Sequence, residues 1–101
     1  MVTTLTPTAQ NVGRTFAEAV RGEHAVREIW VSNDRDHVEL WVYTAPITHD
    51  QELHLYGLED VIYDRFEDAD VQMHIQHAGL YDTTDFVFRA PTGAERIYRA
   101  A

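Results

Sequence analysis

Six histidines stand among 101 residues: His24, His37, His49, His54, His74 and His77. Imidazole beside carboxylate is the usual material for proton transfer at neutral pH and for zinc ligation. The spacing rewards neither strongly. His74 and His77 are three apart in a segment that reads as a strand, which points them to opposite faces. His49 and His54 are five apart on a predicted helix and splay by more than a turn. Asp50 and His54, at i and i+4, share a helix face and can hold one ion or simply bond to each other. No H-E-x-x-H run occurs. The metal candidates are therefore Asp50, His54, His74 and His77, with zinc on imidazole and carboxylate ligands as the fitting ion. No cofactor is expected.

Nucleophiles are scarce. There is no cysteine, and Ser32, the one serine, precedes a turn instead of sitting between a strand and a helix. The five glycines are scattered and form no phosphate loop. Carboxylates are plentiful, yet acid–base work needs a cleft that drives their pKa values apart. The stretch Asp64 to Asp70 reads as a solvated helix end and lacks the glycine and spacing of a calcium loop. Catalysis is not expected of the monomer.

Charge narrows the partners. Seventeen Asp and Glu stand against eight Arg and no Lys, a net charge of −9. That balance opposes binding to the phosphate backbone of nucleic acid and to anionic membranes. At 45% hydrophobic residues the chain is globular, and its length suits one domain, 1–101, with a core at about 8–77 and a C-terminal extension at 78–101. No apolar run approaches the ~20 residues of a membrane-spanning helix. The first residues lack the basic start and apolar centre of a signal peptide, so a cytoplasmic location is expected.

The elements that must carry these residues can be read from periodicity. Thr8 to Arg21 is a predicted helix with Val12, Phe16, Ala19 and Val20 on one face, Thr6 as cap, Pro7 in the first turn and Gly22 as a left-handed stop. Gly13 argues against it. Ala25 to Ser32 and His37 to Thr44 read as a hairpin around the polar turn Asn33-Asp34-Arg35-Asp36. Thr48 to Phe66 reads as one helix opened by the capping box Thr48-His49-Asp50-Gln51, with Leu55, Leu58, Ile62 and Phe66 as its buried stripe and Val61 beside it. Val71 to His77 alternates as a third strand. Asp85 to Arg89 and Glu95 to Arg99 are further candidate strands, with Pro91-Thr92-Gly93 as a turn between them.

This order, α-β-β-α-β with a C-terminal strand or tail, predicts an α+β two-layer α/β sandwich, ferredoxin-like but lacking the first strand. Helices on one side leave the other face of the sheet open. Alternation places Glu28, Trp30, Glu39, Trp41, Tyr43, Gln72, His74 and Gln76 there. Aromatic residues on a solvated face either pair across strands, lie under the tail, or meet a partner. The expected function is a small acidic binding or assembly domain. Its expected interface is Trp30, Trp41, Tyr43, Glu39 and His74, meeting a second copy or another protein. The competing expectation is a small-ligand or metal-binding domain built on His and Asp.

Overall fold

Thr8 starts the first helix. Its hydroxyl accepts from the backbone N–H of Asn11, so the cap is Thr8 itself, and α1 spans Ala9–Ala19. The computed structural model describes residues 8–34, 37–66, 69–77 and 92–100. The helix ends at Val20 without a left-handed cap; among the described glycines only Gly93 has a positive φ, +87°. Gly22 is therefore no left-handed stop.

The chain continues as β1 (Val26–Asp34), β2 (His37–Thr44), α2 (His49–Gly57), α3 (Asp60–Arg65), β3 (Val71–His77) and β4 (Glu95–Arg99). The expected Thr48–Phe66 helix is thus two helices. The capping box opens α2 as read, with Thr48 Oγ1 accepting from Gln51 N at 3.2 Å and Gln51 Oε1 accepting from Thr48 N at 2.8 Å. The interruption follows Gly57, the weakest helix former in the segment. Leu58 and Glu59 keep right-handed helical dihedrals, so the chain runs on into α3. Val61 lies outside the buried stripe and is 39% exposed. The expected strand at Asp85–Arg89, the positions of Thr6 and Pro7, and Arg35-Asp36 of the turn lie outside the described residues.

The four strands form one mixed sheet in the order β3-β2-β1-β4. Strands β1 and β2 pair antiparallel, β2 and β3 pair parallel across the helical crossover, and β4 returns antiparallel to β1. The two-layer α+β sandwich and its element order are as expected. The two parallel strands are direct neighbours, with no strand inserted between them.

Packing follows from the alternation. Ile29, Val31, Val38, Leu40, Val42, Val71 and Ile75 face the helices and are buried with Val12, Phe16, Val20, Leu55, Ile62 and Phe66 in one core. Helix α1 lies across β1, β2 and β4 and touches α3. It comes so close at Gly13 that a Cβ there would lie 2.7 Å from Val31 Cγ1 and 2.9 Å from Ile97 Cγ1. The glycine that weakens the helix in isolation is what lets it seat on the sheet.

Candidate functional site: the sheet face opposite the helices

Residues between the buried positions of each strand point away from the helices and are half-buried: Trp30 and Ser32 of β1, and His37, Glu39, Trp41 and Tyr43 of β2. Strand register arranges them in rows. One row crosses all four strands as Arg96, Trp30, Trp41 and His74. On one side of it lie Arg99, Glu28, Tyr43 and Gln76; on the other lie Ser32, Glu39 and Gln72.

Each carboxylate on this face has a cation or an N–H beside it. Glu28 Oε1 accepts from the Trp30 indole N–H at 3.3 Å and lies 3.6 Å from the Arg96 guanidinium. Arg96 also sits over the Trp30 ring, 5.8 Å from its centroid, within cation–π range. Glu39 is bridged by two imidazoles: His37 Nε2 at 2.7 Å on one oxygen and His74 Nε2 at 2.5 Å on the other. An ionised carboxylate only accepts, so both rings donate through Nε2. Burial pushes the Glu39 carboxyl up, but the hydrogen bonds from His37 and His74, with the charge those rings carry when protonated, outweigh it and hold the carboxyl below its ordinary value. The His74 ring in turn stacks on Trp41, with centroids 5.8 Å apart and planes 18° from parallel.

Beside Trp41 and His74 runs an open groove of about 570 Å³, bounded by Ser32, Asn33, Glu39 and the Thr92-Gly93 turn. The face is accessible at both ends of its central row: the His74 and Arg96 side chains are each 44% exposed.

The expected interface residues Trp30, Trp41, Tyr43, Glu39 and His74 are thus brought to one surface. Sequence reasoning missed two members. His37 shares the alternation of Glu39 and Trp41, so its place on the face was legible, though its bond to Glu39 was not. Arg96 has the signature of an uncertain tail, and only the β1–β4 register puts it over Trp30.

The metal candidates are not gathered. His74 is engaged with Glu39 and Trp41 on the open face. His77 closes β3. Asp50 and His54 lie on α2 along a separate cavity of about 200 Å³, floored by Ile47 and Leu55, where His54 Nε2 lies 2.8 Å from Glu23 Oε1. Among the described residues, no group of three or more His, Asp or Glu is arranged to hold a metal ion. Nor is any helix among them long and apolar enough to cross a membrane.

No protein-family model, no curated protein and no solved structure matches this chain.

Proposed function

We propose that this chain is a small cytoplasmic binding and assembly domain whose sheet face opposite the described helices is its protein-contact surface. The observation that carries the reading is the row Arg96–Trp30–Trp41–His74 across the four described strands. Indole rings offer large rigid area at low entropic cost and are enriched where proteins meet. Here they are held by cross-strand neighbours, so little ordering remains to be done on contact. The carboxylates that would otherwise resist a partner are already engaged within the face, Glu28 by the Arg96 guanidinium and Glu39 by hydrogen bonds from His37 and His74.

The test separates a contact surface from a second core. Trp41→Glu should leave the far-ultraviolet circular dichroism unchanged and the melting temperature within a few degrees of wild type, because it removes no helix-side packing. In dilute solution both indoles should be quenched by acrylamide. A several-kcal/mol loss of stability in Trp41→Glu, or indoles shielded from quencher in a dilute monomer, would show that the face is part of the fold and sink the reading.

A further inference from the structure

We infer that the partner this face accepts is a second copy of the same chain, packed face to face about a two-fold axis; the inference rests on the contact-surface reading above. Charge singles out the partner. The chain carries −9, and the helix layer holds much of the acid, including Glu18, Asp50, Glu52, Asp60 and Asp64. On the open face two carboxylates, Glu28 and Glu39, are matched by two arginines, Arg96 paired with Glu28 and Arg99 its register partner on β4, while Glu39 accepts hydrogen bonds from two imidazoles. Two identical acidic molecules repel least where their surfaces are locally balanced. A basic partner would instead be drawn to the acidic helix layer.

Shape agrees with charge. Across the four described strands the central row is ordered cation, indole, indole, imidazole. A two-fold axis parallel to the strands and lying between β1 and β2 reverses that row. The two indoles of one copy then cover the two of the other, as an isologous contact requires. Area sets the size class. Four strands ~4.8 Å apart and about seven residues long at ~3.3 Å per residue give a flat footprint of roughly 440 Å² per copy. Side-chain relief enlarges it, but it stays at or below the ~800 Å² per partner of a standard stable interface. An interface of this size falls among weak and transient encounters, so the dimer should be reversible and concentration-dependent.

Sedimentation velocity on the full chain from about 10 μM to 1 mM tests this. The expected result is a concentration-dependent monomer–dimer equilibrium that Trp41→Glu abolishes and Leu53→Glu, an exposed control on α2, leaves alone. Added salt should preserve or tighten the dimer, because it screens the repulsion between two acidic molecules. A monomer at 1 mM whose indoles are open to quencher would overturn the second-copy inference while leaving the contact-surface reading standing. A monomer with shielded indoles would overturn both. A dimer lost in Leu53→Glu but kept in Trp41→Glu would put the contact on the helix layer, and a dimer that dissociates in salt would remove the charge argument.

Discussion

Trp41 and His74 stand opposite one another in the parallel β2–β3 register, their rings stacked 18° from parallel. The contact is held by Glu39, whose carboxylate accepts from His74 Nε2. An aromatic ring shields protons that lie over its face. The His74 ring protons should therefore appear upfield of an ordinary histidine in the proton NMR spectrum and return to ordinary positions in Trp41→Leu. Unshifted His74 resonances in the wild type would mean that the stack does not persist in solution.

Glu39 should leave a mark on acid stability. Its carboxyl sits below the ordinary 4.5 in the folded chain. The folded state then takes up this proton less readily than the unfolded state. The stabilisation is fully present above about pH 4.5 and is lost as pH falls through the lower folded value. In urea titrations from pH 7 to pH 3, wild type should lose more stability than Glu39→Gln, since all other carboxylates are common to both. Parallel curves would mean that the two imidazoles do not hold the carboxylate.

The core assignment is tested by truncation. Leu40 and Ile62 are each 0% exposed, and each alanine substitution should cost ~2–5 kcal/mol. That is a large share of the ~5–15 kcal/mol expected for a domain of this kind. Val61→Ala, beside Ile62 but 39% exposed, should cost less than about 1 kcal/mol. Chemical denaturation of the three variants would show whether α3 presents the face described.

Gly13→Ala sets two effects against each other. Alanine favours a helix interior by ~1 kcal/mol over glycine. The added methyl would stand 2.7 Å from Val31 Cγ1 and 2.9 Å from Ile97 Cγ1. Val31 is fixed in the core, so α1 must lift, at a cost of ~1–3 kcal/mol. A net loss of stability is expected; a gain would show that α1 rides further from the sheet.

The Thr48 cap offers a local check. Thr48→Ala removes the acceptor for Gln51 N and should cost about 1 kcal/mol. The loss should appear as earlier fraying of α2 in amide exchange while the β1–β2 hairpin keeps its protection.

Strands were the most legible part of this sequence. In His37–Thr44 and Val71–His77 a strict period of two marks one buried and one open face, and those bounds are the ones found. The helix break was invisible because Leu55, Leu58, Ile62 and Phe66 keep helical spacing across it. Face membership was legible for Trp30, Glu39, Trp41 and His74, since it depends only on neighbours in sequence. Which residues touch was not. Whether His74 meets Trp41 or Tyr43 depends on register between strands whose partners are 33 residues apart, which core packing sets and the alternation alone does not. Gly13 is the clearest case, for it argues against a helix locally and is required by that helix globally.

Among the described residues, strand β4 lies at an edge of the sheet and pairs only with β1; it is five residues long and packs inward mainly through Ile97 and Tyr98. Short edge strands of this kind open at far lower free energy than the strands they lean on. When β4 lifts, Arg96 leaves Glu28 and Trp30 in the same movement, and the balanced face becomes more acidic and more aromatic at once. Hydrogen exchange should then find the amides of Glu95–Arg99 trading with solvent well before those of β2, and a dimer closed over this face should slow them first.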